Sequence, residues 1–286
     1  MVQESKRHHY VPVFYLGGWV KDGKVCEYSR PHRDVVGKMK APSATGYEIE
    51  LYSVPAFPAG AQRVLEDEFF SKVDGIASKA LTKMLQERLG PAALSPDLRS
   101  GWSRFILSLH YRSPARLAAL KIKYKEFVSE TAPAYRDQFE ARRDPDDKRT
   151  FEAFCTDLRH DAAERSWTRL FRSVIDSQRV GDFLNKMLWN VLTVSGSDRK
   201  FLTSDHPVVM TNGLDRPDGH LFLPLGPSRL FVATNTAASL EVIKRIGIRQ
   251  LQRDVNDQVV RQAHRYVYGD DEGQVRFVAN RLTRRG

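Results

Sequence analysis

Phe201-Leu202-Thr203-Ser204-Asp205-His206-Pro207-Val208-Val209-Met210 runs from apolar and β-branched residues, through a polar knot, into a second apolar run. Proline has no N–H for a ladder and aspartate ties back onto nearby backbone, so a strand must stop at the Ser-Asp-His-Pro knot. A carboxylate beside an imidazole at a strand end can bind metal, hold a proton or grip phosphate. It can equally cap a turn. Upstream, Met187 to Val194 reads as a strand, Ser195 to Asp198 as a turn, and Lys200 to Met210 as the antiparallel partner of that strand. Downstream, Thr211-Asn212-Gly213 turns the chain, and His220–Leu225 and Arg229–Ala233 read as strands around Gly226-Pro227. Ser239 to Ala263 has helical spacing despite Gly247, and Arg265–Tyr268 and Gln274–Val278 read as closing strands.

The opening of the chain is also β-like. Tyr10 to Leu16 is aromatic and β-branched and reads as extended; Asp22-Gly23 is a hairpin turn signal before a strand at Lys24–Tyr28. Gly46 to Val54 contains a short strand. Between these ends the period changes. Leu65, Phe69, Val73, Ile76, Ala80, Leu81 and Met84 recur at helical steps within 61–89, with Glu66, Asp67 and Glu68 near the positive end. Ser95-Pro96 is a cap and first-turn pair for a helix to Arg112, Ser113-Pro114 starts a third helix, and Asp144-Pro145 precedes a fourth from Phe151 to Ser177. The expected fold is a single α+β domain over 1–286: a β and loop segment (1–60), a helical region (61–187), and a β-rich region with one helix (188–286). Its mainly antiparallel sheet is expected to draw on the N- and C-terminal segments.

Lys and Arg number 45 against 35 Asp and Glu, a net charge of +10, which favours nucleic acid or nucleotide as partner. Cys26 and Cys155 are the only thiols, too few for a cysteine zinc site and typical of a reducing compartment. The polar first ten residues lack a signal core, and no apolar run is long enough to span a membrane. The expectation is a cytoplasmic protein with no membrane contact.

His8, His9, Tyr10, Pro12, Tyr15 and Leu16 form a His-His-Tyr-x-Pro-x-x-Tyr-Leu opening. Ser204, Asp205 and Pro207 form Ser-Asp-x-Pro, and Pro224, Leu225 and Pro227 form Pro-Leu-x-Pro. In these motifs, spread over most of the chain, the sequence resembles the family known as domain of unknown function 4238. The resemblance implies no established activity. The family pattern often has Asn where this chain has His206, which makes His206 a poor candidate for an indispensable family residue.

Two functional readings follow from the residues. The first is a metal-dependent phosphodiester hydrolase, a nuclease-like effector using Mg or Mn. His8 or His9 would be base or ligand, Asp205 metal ligand or orienter, and Glu66 a further metal ligand. Arg112 and Ser204 would contact substrate, and Arg165, Arg169 and Arg172, sharing one helix face, would follow a phosphate backbone. The second is a non-catalytic nucleic-acid-binding or assembly module, in which the histidine and aspartate motifs lock the N-terminus onto the sheet. Adjacency alone does not make Ser204-Asp205-His206 a triad, and the glycine-rich stretch before Val25 lacks the hydroxyl and helix of a phosphate loop.

Overall fold

The computed structural model describes residues 6–53, 65–86, 90–144, 146, 148, 150–195, 199–211 and 213–283. The expected turns at 195–198 and 211–213, the flanks of the first long helix and the cap at 144–145 fall partly outside these residues, as do the side chains of Asp67, Cys155 and Arg165.

The chain opens with β1 (Arg7–His9) and a short helix α1 (Val13–Leu16), followed by β2 (Val25–Ser29), β3 (Val36–Lys40) and β4 (Tyr47–Ile49). The stretch from Tyr10 expected to be extended is therefore helical in its second half. Pro12 supplies its N-terminal boundary, its carbonyl accepting from Tyr15 and Leu16. A π turn (Leu65–Phe70) leads into α2 (Ser71–Gln86), then come α3 (Pro96–Tyr111), α4 (Pro114–Thr131), α5 (Arg136–Arg142), α6 (Phe151–Ile175) and α7 (Gln178–Lys186). Ser95 caps α3 as its sequence predicts, accepting from the Leu98 N–H, and Thr150 does the same for α6. β5 (Leu188–Thr193), β6 (Thr203–Ser204), β7 (Val209–Thr211), β8 (His220–Gly226) and β9 (Arg229–Thr234) follow. The chain ends with α8 (Ala237–Arg245), α9 (Ile248–Gln262), β10 (Tyr266–Gly269) and α10 (Val275–Ala279). The class is α+β as expected, with helices in the middle and antiparallel sheets built from both ends.

Three details differ from expectation. The predicted single helix from Ser239 is two, because the chain turns extended at Ile246 and Gly247 caps α9; glycine inside a helix carries a conformational penalty. Gln274–Val278 ends in the short helix α10, not a strand. Most consequential, Lys200–Met210 is not one strand beside β5. It splits at the knot: β6 pairs with β10, whereas β7 pairs with β8 and β5 takes β9. The Ser-Asp-His-Pro knot is the point where the chain passes from one four-stranded sheet, ordered β3-β2-β10-β6, to another, ordered β5-β9-β8-β7.

The second sheet is covered on both faces. Leu221, Leu223, Phe231 and Ala233 pack with Trp102, Phe105 and Trp189 in the largest core, while the alternating Phe222, Leu230 and Val232 pack with Leu240, Ile243, Leu251 and Val255 from α8 and α9. Double coverage explains the unbroken apolar runs in β8 and β9. The first sheet has one apolar face, Cys26, Tyr28 and Val267 against Val260, Val278 and Leu282. Its other face carries Glu27, Ser29, Lys38, Lys40 and Tyr266 beside Val25 and Tyr268, which belong to the largest core.

Candidate functional site

The three motifs meet around the knot. The Tyr15 phenol donates to the Pro224 carbonyl (2.7 Å) and lies 2.8 Å from the Thr203 hydroxyl, which therefore donates to it. Trp19 donates to the Phe201 carbonyl (2.8 Å), and Gly18 lies so close to Leu225 that a methyl group would overlap the Leu225 carbonyl oxygen. The N-terminal segment is thus fastened to the strand before the knot and to the bulge in β8 at Pro224–Gly226.

Asp205 is buried and points at backbone. One carboxylate oxygen accepts from the His264 N–H (2.8 Å), the other from Arg265 (2.6 Å) and Tyr266 (2.9 Å), and the Asp205 N–H donates to the Tyr266 carbonyl. Burial pushes its carboxyl above the ordinary range, while the three N–H donors favour the charged form. Ser204 accepts from the His206 N–H (3.1 Å) to tighten the same turn. His206, buried beside them, receives a hydrogen bond on Nε2 from Arg116 (3.0 Å), since a guanidinium only donates, and its ring lies 5.1 Å from that of His110. Burial, with the Arg116 charge, lowers the His110 pKa to about 4.

His8 is fully buried on β1, its Nδ1 accepting from the Tyr52 N–H (3.0 Å) and its ring stacked on Tyr52. His9 packs against Tyr47, and burial lowers its pKa. Arg112 is also fully buried: Nε donates to the Tyr10 carbonyl (3.0 Å), one terminal nitrogen pairs with Asp74 (2.9 Å), and its own carbonyl accepts from the Tyr52 phenol (2.7 Å). These contacts run from His8 toward Asp205 through intermediaries. His8 leads to Tyr52, Arg112 and Tyr10, whose buried phenol is raised further by the Asp205 charge. Glu66 sits on the π turn and its charge bears on Tyr52. On α6, Arg169 is exposed, whereas Arg172 lies over the Phe69 ring, 5.3 Å from its centre. Among the described residues no three His, Cys, Asp or Glu side chains gather as a metal site, and no helix is long and apolar enough to cross a membrane.

What the residues 264–266 present on their other side is a cleft of about 390 Å³. It lies over the polar residues on that face of the first sheet, where antiparallel register sets Tyr266 opposite Ser29, and Glu27 between Tyr268 and Lys38. Among the described residues Arg30, Lys38, Lys40 and Arg265 bring positive charge to its lining, and Glu27 the one carboxylate. Glu27 is buried and engaged by Lys40 (2.9 Å) and by the Thr45 hydroxyl, so it offers little repulsion to an anion. Arg30 holds the end of α10 by donating to the Ala279 and Leu282 carbonyls. Lys38 and Arg265 are exposed, and the Arg265 guanidinium lies 4.9 Å from the centre of the Tyr266 ring. The sequence reading missed this cleft and the His110–Arg116 contact with His206. Lys38 and Lys40 alternate on one strand, a legible sign of a basic face, but their meeting with residues 264–266 depends on pairing the chain's two ends.

Fold and site together define an α+β protein whose N-terminal segment and inter-sheet knot support a basic cleft. The family model described as protein of unknown function (DUF4238) matches residues 7–273, and the chain belongs to that family. No curated protein and no solved structure matches it.

Proposed function

We propose that this chain is a non-catalytic binding module for nucleic acid or nucleotides, taking the phosphate in the cleft between β2, β3 and β10. One observation carries the reading. Among the described residues four cationic side chains line the cavity against one carboxylate; Lys40 pairs with that carboxylate and Arg30 with backbone carbonyls, which leaves Lys38 and Arg265 for a phosphate. A cavity of that size lies in the range of ligand sites, and converging cations are what phosphate requires. The alternative, a hydrolase using Mg or Mn, has less support. Asp205 is filled by backbone donors, Arg112 is paired inside the core, and His8 Nδ1 is occupied.

The test is binding of a fluorescent oligonucleotide at low salt to the wild type and to Lys38→Glu/Arg265→Glu. The double variant should keep its melting temperature and lose at least tenfold in affinity, and the oligonucleotide should remain intact with Mg or Mn present. Unchanged affinity in that variant would reject the cleft; metal-dependent cleavage would restore the hydrolase reading.

A further inference from the structure

Building on the phosphate-binding reading above, we infer that the cleft accepts unpaired nucleotides, with a base stacked at Tyr266 and its phosphate held between Arg265 and Lys38. A duplex is read by elements that protrude into its grooves, and a cavity offers nothing to insert. An unpaired nucleotide has a free ring face and can enter a concavity. Tyr266 is the one phenol ring among the described lining residues; its ring is tilted against Tyr268 (centroids 6.4 Å), and its cross-strand neighbour is the small Ser29. Lys38 lies two strands away from Tyr266 and two residues along in register, about 12 Å at ordinary strand spacing and rise. The Arg265 guanidinium lies over one face of the ring, so a base takes the opposite face, and Arg265 and Lys38 are the cations offered to its phosphate. Asp205 is the positioning residue, because its carboxylate fixes the backbone that carries both Arg265 and Tyr266. Stacking does not discriminate strongly among bases, so little sequence preference is expected.

The experiment compares a short oligothymidine strand, a duplex of matched length and inorganic pyrophosphate as ligands of the wild type, Tyr266→Leu, Tyr266→Phe and Lys38→Glu, with folding followed by circular dichroism. The single strand should bind more tightly than the duplex. Tyr266→Leu should weaken the single strand about 5- to 150-fold, as loss of one stacked base does, and leave pyrophosphate unchanged. Tyr266→Phe should keep the wild-type affinity, and Lys38→Glu should weaken both ligands. Equal binding of duplex and single strand, or no effect of Tyr266→Leu, overturns the inference even if Lys38→Glu still abolishes pyrophosphate binding. If neither pyrophosphate nor the single strand binds the wild type, the phosphate reading itself falls. Should Tyr266→Leu fail to fold, the wild-type contest between single strand and duplex decides.

Discussion

Asp205 accepts from three backbone N–H groups, those of His264, Arg265 and Tyr266, so its removal is costly for reasons unrelated to charge. Asp205→Ala should lower stability by about 3 kcal/mol, because buried donors left unpaired cost about 1–3 kcal/mol each and some rehydrate. Asp205→Asn keeps one acceptor and should fall between the two in urea denaturation. A melting curve for Asp205→Ala that overlays the wild type would show that the clasp contributes nothing. His110 gives a pH signature. Its folded pKa, about 4, lies below the unfolded value near 6.5, so the unfolded chain binds the proton more readily. The associated stability is fully present above pH 6.5 and is lost as pH falls toward 4. About 2 kcal/mol is at stake after allowing for solvent screening of a partly exposed ring. His110→Phe keeps an aromatic ring against His206 and should flatten the urea midpoint between pH 6.5 and 4 relative to the wild type.

The fastening of the N-terminal segment to β8 and to the strand before the knot belongs to the scale of elements. Tyr15→Phe deletes the phenol shared by Thr203 and Pro224 and should cost about 1–3 kcal/mol, since a buried carbonyl loses its donor. Gly18→Ala should cost a similar amount through overlap with the Leu225 carbonyl, and thermal unfolding measures both. Elements of this kind were legible wherever one local signal ruled. Ser95-Pro96 marks the start of α3, and the apolar runs of β8 and β9 mark strands. Local signals misled where tertiary contacts decided. The aromatic stretch after Tyr10 looks like a strand, but Pro12 starts a turn of helix that delivers Tyr15 and Trp19 to partners about two hundred residues away. The knot was legible as a stop, yet the sheets on either side of it were not, because β6 and β7 have only two and three residues and choose partners by position in the fold.

Over the whole molecule, the decisive event is that β10, near the C-terminus, enters between β2 and β6. That pairing creates the cleft from residues near 27, 38 and 265, and hydrophobic period carries no information about it. The histidines and Asp205 stood out because their chemistry is conspicuous in a sequence, whereas Lys38 and Tyr266 become conspicuous only once their strands share a sheet. Net charge poses the remaining question, since a chain at +10 could attract nucleic acid with its whole surface. Lys38→Glu/Arg265→Glu and Arg245→Glu/Arg253→Glu each take four charges off that total, the second pair from exposed positions on α8 and α9. A diffuse field responds equally to both, but a local site responds only to the first. If the cleft holds the phosphates, the first pair flattens the log–log salt dependence of single-strand binding by about 1.4, at about 0.7 per phosphate contact. The second pair leaves that slope close to the wild-type value. Matching slopes for the two variants would assign binding to the overall charge and remove the cleft from it.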